Sequence, residues 1–578
     1  MVRTEKEASL PLEVHSSAER NALVNAARHG GKAEIGAVMS KVIGEFPDLR
    51  TRAKVVAKLV QGIVNHVNSL GIAEQERLLD RKFPGAAVPA KVKEKRTGLP
   101  PLPDAEKGAV VLRLPPEPSG FMHIGHAMAG TINFYYRREY DGKLWLRFED
   151  TNPRKVAKRY YQSFRDGYTW MGIEWDEEKS VSSDLELIYS YGRKLIEQGH
   201  AYACACDADR VKKLRFEGTA CEHRAKSIES NIRVWDAMLA RKTKEGEYVI
   251  RIKGDMSSLD YSLRDPNVFR VIVHEHPRTG NKFVVWPTYD LEVVIEDELC
   301  GVTHILRSAE FHVGLQGLIR KMLSFKQVTV LQFSRFNFKG TPVQKRLLRP
   351  LVEKHLVTGW DDPRMPTVEG VRRRGILAEA IKQFTIQVGY TKSEHEYDWS
   401  LIFAVNRKLL DPVTRRVFYV PRPSRLKVEG APEKSVTIPF HPEKDLGSRT
   451  IRVSREFFVP TDDLRRIDQG ETFRLIDLYN VKLETKGRTE AVASFAGEEL
   501  IPDTKKLQWT TTRGEKIEVL EPGVLFDEAG NFNEQSMGRT DGVVEEAFAN
   551  LKLGDIVQFP RYGFSRLDSK NTCILAHK

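Results

Sequence analysis

The chain has 578 residues, 41% hydrophobic and 29% charged, the balance of an ordinary soluble polypeptide. That length is far too great for one hydrophobic core, so roughly three to five domains are expected. Lys and Arg number 91 against 79 Asp and Glu, a net charge of +12, which suits a polyanionic partner without requiring one. No apolar run approaches a membrane span, and the opening Met1-Val-Arg-Thr-Glu-Lys-Glu lacks an apolar signal core. Three of the five cysteines fall between 204 and 221, which argues against a disulfide scaffold and for a reducing cytoplasm.

Residues 18–80 read as helical, with Val55, Val56, Leu59, Ile63, Val64 and Val67 at one-face spacing. A helical extension over 1–83 is therefore expected. Pro84, Pro89, Pro100, Pro101 and Pro103 then punctuate a Lys-rich stretch without hydrophobic period, a linker composition over 84–107. From 108 the pattern becomes strand, helix, strand: Val110-Val-Leu-Arg-Leu, Ala127 to Tyr140, Leu144-Trp-Leu-Arg-Phe. This order predicts a parallel sheet with crossover helices over 108–330, followed by a connecting segment over 331–410. Beyond 411 the chain is β-rich and Gly/Pro-punctuated, which predicts two small β-barrels up to 578.

The chemistry concentrates in Arg113-Leu-Pro-Pro-Glu-Pro-Ser-Gly-Phe-Met-His-Ile-Gly-His-Ala, which joins the first strand to the first helix. An open α/β sheet presents ligands at such a strand end, and a helix start favours phosphate. His123 and His126 share one face of the first turn, and Gly125 leaves room for a base against the backbone. Two histidines can also merely cap a helix, but Pro118-Ser119-Gly120 and the flanking elements make a nucleotide site the better reading. Separately, Cys204-x-Cys206-x14-Cys221-x-His223 offers three thiolates and an imidazole, a donor set for a closed tetrahedral zinc site. Four unrelated residues are the alternative there.

His123-Ile-Gly-His126 resembles the HIGH signature of class I aminoacyl-tRNA synthetases, and the wider string resembles their glutamyl and glutaminyl branch. The resemblance implies a multidomain α/β plus β protein: a Rossmann-type catalytic domain with an acceptor-end insertion near 200–285, and C-terminal anticodon-binding barrels. It implies that His123 and His126 stabilise charge on the α-phosphate of ATP, within an ATP site of Pro118, Ser119, Gly120, His123, Gly125, His126 and Lys345. Lys345 occupies the place of the second family signature, the phosphate loop Phe338-Lys-Gly-Thr-Pro-Val-Gln-Lys-Arg. Gln344 stands where the family usually has serine. Arg113 resembles the ligand of the amino-acid side chain, Glu149 the acid that meets the α-ammonium, and Tyr289 the tyrosine lining the pocket. Arg307 in Thr303-His-Ile-Leu-Arg, together with Glu149-Asp-Thr and Pro118-Ser-Gly, is similar to glutamyl rather than glutaminyl members. Two guanidinium forks around a γ-carboxylate also make chemical sense.

The string Gly359-Trp-Asp-Asp-Pro-Arg-Met-Pro-Thr, with the following Val371-Arg-Arg-Arg-Gly, and Asn406-Arg-Lys-Leu-Leu-Asp-Pro resemble the archaeal-type glutamyl and the glutaminyl synthetases, and residues 18–80 look like the helical N-terminal extension of archaeal-type glutamyl enzymes. Segment 341–375 carries eight Lys/Arg against four Asp/Glu, which suits an RNA backbone or a solvated face. Phe559, Arg561, Tyr562 and Phe564 are base-stacking types that serve equally well as barrel core. Met128 and Ser308-Ala-Glu-Phe depart from the family pattern.

The expected function is ATP-dependent ligation of glutamate to tRNA-Glu through glutamyl-adenylate, with Mg²⁺ and a structural Zn²⁺ as expected cofactors. A cytoplasmic monomer with no membrane partner is expected, and charging of tRNA-Gln is left open. A glutaminyl-tRNA synthetase is one alternative. A catalytically inactive tRNA-binding paralogue, suggested by Gln344, is another.

Overall fold

A computed structural model describes residues 10–86, 98–308 and 312–578, and the chain divides into two compact units at 97/98. The opening heptapeptide, the Lys-rich part of the linker and Ala309-Glu-Phe311 lie outside the described residues. Among those described, no helix is long and apolar enough to cross a membrane.

The first unit is four helices, Leu12–Arg28, Ile35–Glu45, Ala53–Ser69 and Ile72–Lys82. Ala18, Ala22 and Ala26 recur every fourth residue and are fully buried, so the neighbouring helix approaches closely. Its buried stripe is Val56, Val60, Val64 and Val67. The expected Val55 faces solvent instead, because the 3.6-residue period carries the stripe through Val60. Gln75 is buried and donates to the carbonyls of Gly31 and Val67 at 2.9 and 2.8 Å, closing the bundle.

The second unit is built on a parallel sheet. Strands Val111–Leu114, Lys143–Phe148 and Glu177–Ser180 pair in that order. On the free side of the first, Thr303 exchanges hydrogen bonds with Val111 and docks His304–Ser308, which pairs in parallel with Thr329–Phe333. Sequence order therefore reverses between Val111–Leu114 and His304–Ser308, a switch point where ligands bind open α/β sheets. Leu99 and Leu102 are buried, and Tyr136 Oη donates to the Pro100 carbonyl at 2.5 Å. The end of the expected linker is thus a strap on the catalytic body.

Between the third and fourth strands of this sheet, Ala201–Cys204, Val249–Ile252, Asn267–Val271 and Val285–Pro287 form an antiparallel sheet around Trp235, Phe269 and Trp286. After it, the expected limit at 330 falls inside strand Thr329–Phe333. Side chains from both sides of that limit, Leu112, Leu146 and Phe148 with Phe338, Ile381 and Ile402, share one core.

Among the described residues, the C-terminal part consists of a seven-stranded sheet, a six-stranded sheet and the two-stranded pair Lys434–Pro439 and Ser448–Val453. The expected barrels are curled half-barrels: the outermost strands are not paired with one another among the described residues. Strand Pro423–Glu429 shows the alternation that makes such sheets one-sided, with Ser424, Leu426 and Val428 inward. Phe559 and Phe564 are core residues of the last sheet. Tyr562 donates to Glu521 at 2.8 Å, and Arg561 pairs with Asp463 at 2.8 Å.

Much of the positive charge of 341–375 is used inside the molecule. Arg364 is buried against Asp362 and the Ser536 hydroxyl, and Arg373 pairs with Asp568 at 2.7 Å. Arg374 donates to the carbonyls of Ala576 and Pro522 and lies over the Phe403 ring. These arginines staple the catalytic body to the last sheet. Replacing Arg374 with Ala leaves two carbonyls without donors and is expected to cost about 2–3 kcal/mol in a denaturant titration of the full chain.

Candidate active site

Strand Val111–Leu114 ends in Pro115-Pro-Glu-Pro-Ser-Gly, and helix Ile124–Glu139 starts at His123. The turn is pinned on both flanks. Ile124 N donates to Pro366 O at 2.8 Å, Val368 N to Met122 O at 2.9 Å, and Phe121 stacks on Trp360 with centroids 5.3 Å apart. The Gly359–Thr367 string, whose surroundings suited either an RNA backbone or a solvated face, buttresses the helix start. His123 and His126 stack at 3.7 Å, and His126 Nδ1 accepts the His123 amide at 3.3 Å. That bond assigns the proton of His126 to Nε2. His123 Nδ1 has no hydrogen-bond partner. Burial, then the Lys345 and Arg335 charges, lowers His123 to about 3; burial, His123 and Lys345 lower His126 as well. Both rings are neutral at pH 7, so they offer N–H dipoles rather than full charges. A Cβ at Gly125 would approach the His123 ring to 3.1 Å, so the glycine leaves room for that ring.

Lys345 begins helix Lys345–Glu353 and reaches back to the Pro118-Ser119-Gly120 turn, where its Nζ meets Ser119 Oγ. A Cβ at Gly120 would crowd the end of the Lys345 side chain, which would have to shift to make room. Burial lowers the Lys345 ammonium and Glu117 opposes this. The loop is also held from the C-terminal sheet. Phe526 N donates to Gly340 O at 2.9 Å, and Leu525 is fully buried with Leu348, Leu351 and Met365. Gln344 caps the helix start without a side-chain cap bond.

The second pocket lies across the switch point. Arg113 is 1% exposed; its Nε donates to Asp297 at 2.9 Å, while Nη1 and Nη2 have no partner. Asp297 also accepts from Arg147 at 2.9 Å and Arg320 at 3.0 Å. Glu149 accepts from Arg147 through Oε1, leaving Oε2 buried without a donor. Arg307 donates to Gln316 Oε1 at 2.7 Å, and Gln316 in turn to Asp290 at 2.8 Å. Burial, then Arg113, lowers Arg307, which marks the two guanidiniums as neighbours; Tyr289 interacts with both and with Glu149. The four predicted residues Arg113, Glu149, Tyr289 and Arg307 are thus neighbours, two guanidiniums and a carboxylate around one tyrosine.

Comparison with known proteins agrees with this geometry. The family description "tRNA synthetases class I (E and Q), catalytic domain" matches residues 109–412. Two descriptions of the same family's anti-codon binding domain match 414–495 and 506–568. The chain belongs to the class I glutamyl and glutaminyl tRNA synthetase family. The glutamate–tRNA ligase of Nitrosopumilus maritimus is 38% identical over 98% of this chain and 100% of the relative. That of Pyrococcus furiosus is 37% identical over the same shares. A glutamate-tRNA synthetase crystal structure from Elizabethkingia anophelis gives a TM-score of 0.38 at 16% identity, covering 53% of this chain and 71% of that one.

Within this class I fold, Cys204, Cys206, Cys221 and His223 also meet. Cys204 and Cys221 Sγ are 3.8 Å apart, and His223 Nδ1 lies 3.9 Å from Cys204 Sγ and 3.4 Å from Cys206 Sγ. A tetrahedron with Zn–S bonds of about 2.3 Å has edges of about 3.8 Å, so the donor set fits a zinc ion. Arg251 Nη1 lies 3.8 Å from two of the sulfurs, a cation that balances thiolate charge. Met128, which departs from the family pattern, is fully buried in the main core, where an apolar side chain fits.

Asp297, Arg147, Arg320 and Glu292 were not expected as site residues. Their signal is Glu292, Glu296 and Asp297 in the otherwise apolar Leu291–Asp297 run, a frequency of acids that a buried helix tolerates only with partners. Burial pulls Asp297 up, but Arg113, Arg147 and Arg320 outweigh it and hold the carboxyl below its ordinary range. Its stabilising contribution is therefore present above the unfolded value of about 4 and lost as pH falls through the depressed one. Asp297→Asn is expected to destabilise the protein by about 3–5 kcal/mol at pH 7. The loss should shrink below about pH 4 in pH-dependent melting.

Proposed function

We propose that the chain ligates glutamate to tRNA-Glu in two steps, by forming glutamyl-adenylate from ATP and glutamate and then passing the acyl group to the terminal adenosine. The observation that carries this is the Arg113 guanidinium, buried beside Arg307 with both Nη atoms unpaired, while the nearby Glu149 keeps an unpaired Oε2. A buried fork with spare donors calls for a bidentate anion, and a γ-carboxylate supplies one. Glutamine would leave those donors poorly satisfied, which disfavours the glutaminyl reading. Glu149 Oε2 receives the α-ammonium, and Tyr289 closes the pocket wall. The substrate's α-carboxylate is then directed towards the histidine turn.

Attack of that carboxylate on the α-phosphate expels diphosphate, a step governed by positioning and charge stabilisation. Neutral His123 and His126 donate N–H bonds to the phosphate, while Lys345 offers a full charge to the leaving group. Mg²⁺ carried in with ATP would screen the triphosphate. Intact His123, His126 and Lys345 disfavour the inactive-paralogue reading. Arg154, Lys155 and Arg270 line a cavity of about 380 Å³ beside the insertion, a basic mouth suited to the acceptor end of tRNA. The two half-barrels would bind the anticodon, a cytoplasmic monomer is proposed, and the Cys/His cluster would hold one structural zinc.

Aminoacylation with both acceptors is the test: glutamate is expected on tRNA-Glu, and product formed only with glutamine would refute the reading. Arg113→Ala is expected to lower kcat/KM for glutamate by roughly a thousandfold or more. Glutamate on tRNA-Gln transcripts would add a second acceptor. Metal analysis is expected to find about one zinc per chain. Cys206→Ser should lower that content and the melting temperature, with an intact second unit retaining its ATP site.

A further inference from the structure

Helix Tyr289–Leu299 presents Tyr289, Glu292 and Glu296 on one face. Tyr289 belongs to the amino-acid pocket, and Glu296 pairs with Lys179 at 2.8 Å. Glu292 has neither explanation. It is 2% exposed, and its Oε2 has no hydrogen-bond partner. Facing it are Glu149, Asp150 and Thr151 from the end of strand Lys143–Phe148, and Arg270 from strand Asn267–Val271. Asp150 is already engaged, accepting from Tyr161 Oη and Ser182 N at 2.7 Å each. Glu149, like Glu292, keeps one buried oxygen without a donor.

A buried carboxyl beside a second buried carboxyl group is stable only when it keeps its proton. We propose that Glu292 is a second ligand of the substrate's α-ammonium: beside Glu149, it is protonated before the amino acid binds and releases that proton on binding. Burial, reinforced by Glu149, pushes the Glu292 carboxyl well above its ordinary range, in keeping with the protonated form. On binding, the O–H bond of the Glu292 carboxyl breaks, its proton passes to buffer, and the carboxylate faces an ammonium that keeps all three of its protons. No other bond changes. The pair would make the pocket demand a cation at the α position, so a dicarboxylate without the amine gains nothing from it. This rests on the reading of the pocket as a glutamate site.

The test is calorimetric titration of the full chain with a non-hydrolysable glutamyl-adenylate analogue and with its desamino counterpart, in buffers of differing ionisation enthalpy. Wild type is expected to release about one proton more with the amine-bearing analogue, and Glu292→Gln none of that excess. The variant is also expected to bind the amine-bearing analogue about tenfold more weakly at pH 8. Equal proton counts for the two analogues on wild type would overturn the proposal while leaving the glutamate reading intact. That comparison needs no variant. If neither analogue bound, the glutamate reading would fall, and the proposal with it.

Discussion

One carboxylate organises the catalytic half of the molecule. Asp297 is fully buried in the last turn of a helix and holds Arg113, Arg147 and Arg320 at about hydrogen-bond distance. A buried guanidinium is costly unless a charge answers it, and three around one aspartate leave excess positive charge. Glu149 answers part of it through Arg147. What is left over is on the Nη atoms of Arg113, aimed at the pocket. The site's appetite for an anion is thus the unsatisfied remainder of an otherwise closed network.

The nucleotide side follows a different rule. Its groups are held by backbone contacts from distant parts of the chain rather than by charge. Pro366 and Val368 brace the histidine turn, and Phe526 and Leu525 reach from the last sheet to Gly340 and the helix behind Lys345. The loop that would close on phosphates therefore shares a core with the sheet expected to read RNA. A disturbance in one has a packed route to the other.

Chain order and motif carried much of this. The βαβ order, the histidine turn and the Cys/His cluster were legible as local patterns or spacings, whereas the pocket residues Arg113, Glu149, Tyr289 and Arg307 were expected only from the family resemblance. Less was legible where a residue's role depends on a remote partner. The arginines of 364–374 suited either an RNA-facing patch or a solvated face, since charge in sequence says nothing of whether an Asp568 or an Ala576 carbonyl waits nearby. Val55 and Val60 changed places for a simpler reason: two stripes one residue apart fit the same helix, and packing against Ala18 and Ala22 selects one.

By itself, then, the sequence determined the class of fold and the kinds of group at the site, because strand–helix alternation and motif chemistry are written in neighbouring residues. Tertiary structure alone decided which charges remain unpaired. It buried Asp297 among three arginines, left Arg113 and Glu149 with open atoms, and set Glu292 beside Glu149. Those outcomes depend on distances between residues up to 184 positions apart, and only burial makes the pairing of such groups compulsory.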